Sequence, residues 1–348
     1  MRIELPQIEP ASERHRAEAQ RLMDGKTKPP GSLGRLEELA AQLCAIQRRV
    51  PPQTDRKRIL LFAADHGIVE EGTSAYPQEV TGQMVANFAN GGAAISVLAR
   101  QAGAELEVVD VGVIGAVDGR ALNRKVRAGT RNFAREPALT VAEAERAIAV
   151  GLERAQHAAD SGVNVLALGE MGIGNTASAS ALLALLTGAD AGATVGRGTG
   201  LDDAQLARKQ AVIARAIARH RPQAQTPFDA LCAVGGLEIA ALVGAMIGAA
   251  ADLLPVVIDG FICTVAALAA TRIAPPARDA LLFAHRSAET GHRLALEALD
   301  AAPLLDLNMR LGEGSGAALA LPLIEASARL LREMASFEQA GVSTKRNP

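Results

Sequence analysis

Four short runs of β-branched and leucine residues, each followed by a polar or glycine turn and then a helical stretch, constrain the fold of this chain more than any other feature. They are Ile59–Ala63, Glu107–Val111, Val163–Leu168 and Pro255–Ile258, with a weaker fifth run at Ala280–Ala284. Short apolar strands alternating with helices predict an α/β fold, a parallel sheet with helices on both faces and right-handed crossovers. Ligands then gather at the carboxyl ends of the strands. Helices are predicted at about 82–102, 141–160, 175–187, 203–219, 236–250, 261–272, 288–299 and 316–335. Residues 11–49 are also helical in period, broken at Lys26–Gly34, with Ser32 as the candidate cap of the second helix.

Composition narrows the partners. Apolar residues make up 49% of 348, yet aromatics only 2%, so Ala, Leu, Val and Ile must build the core. The 36 basic and 38 acidic residues are interspersed, which leaves no basic footprint for nucleic acid and favours a small-molecule partner. Cys44, Cys232 and Cys263 show neither metal spacing nor an even disulfide set, and read as core thiols in a reducing compartment. The start of the chain has no signal or transit pattern, and the longest uncharged apolar run, 239–251, is shorter than the roughly 20 residues a membrane span needs. A cytoplasmic protein without membrane insertion is expected.

Three glycine loops concentrate the chemistry. Leu311-Gly312-Glu313-Gly314-Ser315-Gly316 puts one carboxylate at the mouth of an apolar helix. Two readings fit Glu313, a helix-capping acid or a base beside a pocket. Gly169-Glu170-Met171-Gly172-Ile173-Gly174-Asn175-Thr176 follows a strand and opens a helix. Gly172 and Gly174 permit close backbone approach, and Asn175, Thr176 and the helix N-terminus offer donors to an anion, or else simply cap the helix. The loop lacks a Walker lysine and a G-x-G-x-x-G fingerprint. Gly196–Asp203 precedes a helix bearing Lys209, either a phosphate partner or a solvated lysine. Asp65-His66 ends the first strand, and with no second histidine at ligand spacing it shapes a loop or the two residues orient each other; no metal and no cofactor are expected. Tyr76, the only tyrosine, could pack on a planar ligand or sit half-buried in the core, and Ser287, after the fifth run, is an equally weak candidate polar contact.

Taken in order, seven segments resemble the nicotinate-nucleotide:dimethylbenzimidazole phosphoribosyltransferase family. They are Lys28–Gly34, Ala64–Gly67, Ser74–Thr81, Gly169–Thr176, Val234–Gly236, Ile258–Phe261 and Arg310–Gly316. The resemblance implies a catalytic Rossmann-like domain at 51–317, a small helical domain from 1–50 with 318–340, a flexible tail at 341–348, and a homodimer. It implies transfer of 5-phosphoribosyl from nicotinate mononucleotide to 5,6-dimethylbenzimidazole with inversion at C1, in assembly of the cobalamin nucleotide loop. It further implies Glu313 as general base and Glu170 in the active site. The phosphate then falls to Gly172, Gly174, Asn175, Thr176 and Lys209. Leu311 with Gly312 and the segment through Tyr76, Gln83 and Met84 border the base pocket, where Gln83 or Met84 would meet the ring. A benzimidazole-type base, benzimidazole itself, adenine or a phenol all remain open as acceptors. The alternatives are a nucleosidase acting on the same nucleotide, a noncatalytic nucleotide-binding sensor, and a dehydrogenase, whose glycine fingerprint is missing.

Overall fold

The computed structural model describes residues 3–198 and 200–343. Thr199 of the third glycine loop and the last five residues of the expected tail lie outside the described residues. Six strands form one parallel sheet in the order β3-β2-β1-β4-β5-β6. They are β1 (Lys57–Ala64), β2 (Ala104–Gly112), β3 (Leu122–Asn123), β4 (Val165–Met171), β5 (Val256–Ile258) and β6 (Leu281–Phe283). The direction of winding reverses between β1 and β4, and a crevice opens there at the carboxyl ends.

The expected α/β class is what forms, with several differences of detail. β4 runs on through Gly169 and Glu170, which were expected in a loop, because both continue the ladder opposite Leu61 and Phe62 of β1. β3 is two residues at an edge and carries no apolar run that would mark it.

Fourteen α-helices surround the sheet among the described residues. The first four are α1 (Glu13–Asp24), α2 (Arg35–Gln47), α3 (Val80–Ala89) and α4 (Ala94–Gln101). The predicted helix 82–102 is therefore two, split where Gly91 takes a positive φ of 77° that continues no right-handed helix. Next come α5 (Val141–Asp160), α6 (Asn175–Thr187), α7 (Ala191–Thr194), α8 (Asp203–His220), α9 (Pro227–Val234) and α10 (Leu237–Ala251). α9 was not predicted, although Thr226 and Asp229 form a capping box around a proline at its start. The last are α11 (Phe261–Ile273), α12 (His292–Ala298), α13 (Ser315–Glu333) and α14 (Phe337–Ala340). No helix among the described residues is long and apolar enough to cross a membrane.

Ser32 does not cap α2. Its N-cap is Gly34, and Glu37 reaches back instead, accepting N–H bonds from Gly31 (3.2 Å) and Leu33 (2.8 Å) and pairing with Lys28 at 2.8 Å. Lys28 and Glu37 are both buried, so each needs the other.

Every residue of β1 is buried. Leu60 and Phe62 join the larger core with α5, α6, α10 and α11, whereas Ile59 and Leu61 join a second core with α2, α4 and α13. α1 packs on α2 and α13 through Ala19, Met23, Cys44 and Leu331. The two chain ends also meet through the bridge Lys26–Ser336.

α5 and α10 pack closely enough to exclude a methyl group. A Cβ on Gly151 would collide with the Ala241 carbonyl, and one on Gly244 with that of Ile148. Ala at an exposed helical glycine stabilises by up to about 1 kcal/mol, but here overpacking reverses the sign. Gly151→Ala is expected to lower the unfolding free energy by about 2 kcal/mol. A urea midpoint equal to or above wild type would refute the close approach.

Candidate active site

Strand ends and the starts of α6, α11 and α13 converge at the crevice. β4 delivers Glu170, after which Gly172 and Gly174 turn the chain into α6; Gly174 needs its φ of 97° to do so. A Cβ on Gly172 would strike the Ala64 carbonyl, so only glycine lets this turn lie against β1. The segment before α3 and the first turn of α3 tie the loops together. Gln78 Nε2 donates to the His66 carbonyl (3.2 Å), and Thr81 Oγ1 accepts the Ile173 N–H (3.1 Å).

Asp65 and His66 shape loops and do not orient each other. Asp65 Oδ2 accepts the Ile114 N–H at 2.7 Å, whereas the His66 ring lies 2.6 Å from Glu238 Oε1 in full burial. Nor do Asn175 and Thr176 cap α6, whose N-cap has no side-chain bond. The Asn175 amide donates to Glu170, and Thr176 Oγ1 accepts from Lys209 Nζ at 3.0 Å. Lys209 is 1% exposed, which disposes of the solvated-lysine reading.

Gly312, Glu313 and Gly314 all lie in the left-handed region, with φ of 84°, 63° and 83°. A glutamate there is strained, and such strain persists only where the surroundings impose it. Glu313 does not cap α13. The N-cap is Gly314, and the capping bonds run to Asp259, whose Oδ2 accepts the Gly314 N–H and Oδ1 the Ala317 N–H, both at 3.0 Å. Glu313 is buried, with Oε2 lacking any partner among the described residues.

These groups surround a cavity of about 460 Å³. Of the expected residues, Tyr76, Met84, Glu170, Gly172, Asn175 and Thr176 line it. Ser287, Leu311, Gly312 and Glu313 close the other side. Tyr76 is 52% exposed at the mouth and so belongs to neither core. Three expected residues do not reach the lining. Gln83 points to solvent from α3, Gly174 sits behind the turn, and Lys209 stands behind Thr176. Helical spacing decides between Gln83 and Met84, since neighbours on a helix point about 100° apart.

Several lining residues were not singled out. Phe261 and Ile262 come from the first turn of α11, and Glu289 and Arg310 from loops. Arg310 donates to the Gly198 carbonyl at 3.0 Å. Phe261 and Arg310 stood within recognised motifs, but no spacing marks Glu289.

Electrostatics divide the cavity into two ends. At one, burial and then the charges of Asp259 and Glu238 push the Glu170 carboxyl up to about 8, against the Asn175 hydrogen bond. Burial, then Asp259, raises Glu313 to about 7. At the other end burial lowers Lys209 to about 8, opposed by Glu289, whose own carboxyl is raised by burial and held back by Lys209 and Arg310. The arrangement can hold an anion at the cationic end and exchange a proton near neutral pH at the acidic end.

Comparison with known proteins agrees with this geometry. Residues 8–342 match the profile of a family described as phosphoribosyltransferase. A nicotinate-nucleotide--dimethylbenzimidazole phosphoribosyltransferase from Geobacter sulfurreducens is 51% identical over 342 residues, 97% of each chain. The enzyme of the same name from Azotobacter vinelandii is 54% identical over 330 residues, 94% of this chain and 93% of that one. The crystal structure of CobT from Thermus thermophilus superposes with a TM-score of 0.92 at 50% identity, covering 95% of this chain and 100% of that one.

The raised Glu170 carboxyl makes stability fall with pH. Folded Glu170 retains its proton to about pH 8, whereas the unfolded side chain loses it near 4.5, so its contribution is intact below 4.5 and is lost as pH rises through 8. Glu170→Gln should therefore gain melting temperature over wild type, negligibly at pH 4.5 and increasingly up to pH 8. A gain that does not change with pH would refute the buried charge.

Proposed function

The chain belongs to the nicotinate-nucleotide:dimethylbenzimidazole phosphoribosyltransferase family, an enzyme family of cobalamin biosynthesis, and we propose how its residues carry the reaction. 5-Phosphoribosyl passes from nicotinate mononucleotide to 5,6-dimethylbenzimidazole, giving α-ribazole 5′-phosphate and nicotinate. The observation that carries the assignment of roles is the unpartnered Glu313 carboxylate, raised to about 7 and facing a cavity whose far end is cationic.

Arg310 holds the 5′-phosphate together with Thr176, Ser287 and the N–H groups of the Gly172–Gly174 turn, and Lys209 adds its charge from behind Thr176. Both cations lie near enough to Glu289 for their charges to hold its carboxyl down against burial. Phosphate held remotely leaves C1 little freedom, which lowers the barrier by positioning. The azole nitrogen attacks C1 from the face opposite nicotinate, and the breaking C1–N bond returns its electron pair to the pyridinium nitrogen. That leaving group starts cationic and departs without an acid. The azole becomes cationic unless its second nitrogen loses its proton, and Glu313 takes it. With its carboxyl raised to about 8, Glu170 holds a proton at neutral pH. The positive charge of the pyridinium ring favours its ionised form, and the carboxylate then faces positive charge growing on the ribose.

The base pocket favours a methylated ring. Met84, Phe261, Ile262 and Leu311 offer apolar contacts, and Gln83 provides no amide there, which argues for dimethylbenzimidazole over adenine. The segments 1–50 and 318–340 are read as a small helical domain, supported by the packing of α1, α2 and α13; proteolysis that never releases 51–317 intact would count against it. A homodimer in the cytoplasm belongs to the same reading. Three buried unpaired cysteines suit a reducing compartment, and a monomer mass by light scattering would remove the dimer.

Product analysis after mixing the protein with nicotinate mononucleotide and a panel of bases tests the reaction. The α-riboside phosphate is expected only with an azole present. Rapid release of ribose 5-phosphate without one would instead indicate a nucleosidase, and no turnover at all a sensor. Glu313→Gln is expected to lower turnover about 10²-fold or more while retaining nucleotide binding; wild-type rates would remove Glu313 from the base role. In wild type, kcat/KM should rise with pH through about 7 as Glu313 ionises and fall above about 8 as Lys209 loses its charge. Lys209→Ala should abolish the alkaline limb and raise KM for the nucleotide, and an unchanged KM would reassign the lysine.

A further inference from the structure

The turn bearing Glu313 is held from outside its own segment. α13 begins at Gly314 in a left-handed conformation that suits glycine, so the N-cap position has no side chain with which to cap the helix. Asp259, 55 residues earlier at the end of β5, supplies both oxygens. Each carboxylate oxygen accepts one N–H of the first turn, from Gly314 and Ala317, and the Gly260 N–H bonds to the same group. A second restraint is local, the 2.6 Å bond from Ser315 Oγ to the Gly312 carbonyl. A third is steric. The Glu313 carbonyl lies so near the Cα of Gly169 that an added Cβ would stand 2.6 Å from it.

Other ionisable groups surround Asp259. Glu170 comes from β4, Glu313 from the turn itself and Cys263 from α11. His285, just beyond β6, has its Nε2 3.6 Å from Asp259 Oδ1, and neither ring nitrogen has a hydrogen-bond partner among the described residues. His292 packs on the far side of His285 at 6.3 Å between ring centroids. Asp259 is 1% exposed and lies outside the cavity lining, so it acts through Glu313 and not on the substrate.

We propose that Asp259 is a positioning residue for the transfer: its carboxylate clamps the start of α13, locks the strained Gly312–Glu313–Gly314 turn and so aims Glu313 into the cavity. The inference rests on reading Glu313 as the base. The clamp has an electrostatic consequence as well. The charge of Asp259 is, after burial, the cause that raises the Glu313 carboxyl, and although burial raises Asp259 too, His285 and three backbone N–H groups favour its ionised form, so the residue that orients the base also tunes it.

Asp259→Asn keeps one acceptor, turns an amide donor towards the other N–H and removes the charge. Its turnover is expected to fall by about 10-fold or more with KM for nicotinate mononucleotide nearly unchanged. The acid limb of kcat/KM should also move down by about one pH unit. A merely structural cap would lower the melting temperature and leave that limb in place. Should Asp259→Asn fail to fold, His285→Gln decides. Loss of the imidazole favours the protonated form of Asp259 and should move the limb in the same direction. An acid limb at the wild-type position in the folded variants overturns the proposal. Glu313→Gln measured in parallel separates the two claims. Retained turnover there overturns both, whereas an inactive Glu313→Gln beside a wild-type-like Asp259→Asn overturns the clamp alone.

Discussion

The parallel pairing of β1 with β4 is the constraint on which the rest of the structure depends. At this pair the winding reverses, so the connections leave to opposite sides and the strand ends stand open. The pairing carries Glu170 to the rim opposite Phe62, and it forces Gly172 against the Ala64 carbonyl. It also fixes where α13 must start, because Gly169 leaves just enough room for the Glu313 backbone. Packing above and below β1 makes this geometry stiff, since Leu60 and Phe62 face one core and Ile59 and Leu61 the other.

Stiffness matters because the site is electrostatically unfavourable. Glu170 and Glu313 line one end of the cavity with Asp259 buried behind them, and burial raises all three carboxyls. A flexible chain would relieve this by turning a carboxylate to water. Here the left-handed turn, the Asn175 amide and the N–H groups of α13 hold the acids in place. In the proposed reaction a pyridinium ring and an azole N–H would meet acids already arranged for them, and the phosphate would meet the opposite end, where the charges of Lys209 and Arg310 act on Glu289.

Much of this was legible in the sequence. The strand-like runs gave the sheet, and the glycine loops marked Glu170 and Glu313 through their glycines and the helices that follow. What failed did so for identifiable reasons. The split between α3 and α4 depended on one positive φ at Gly91, and β3 on edge pairing with no apolar signal. Ser32 matched a capping pattern, but Glu37 is longer, buried beside Lys28 and better placed to accept two N–H groups. Gln83 and Met84 were equivalent on paper and differ only in the direction each takes from α3.

The sequence by itself determined the parallel α/β class, the order of the elements and the loops in which the reactive side chains stand, because period, turn chemistry and glycine placement are local properties. Tertiary structure alone decided the chemical state of those side chains. Lys209 became a buried cation, Glu313 an uncapped acid near neutral pH, and Asp259 its support, each through partners 33 to 58 residues away or more. Burial, distance and the charges brought nearby set a carboxyl's affinity for a proton, and these exist only once the strands have paired.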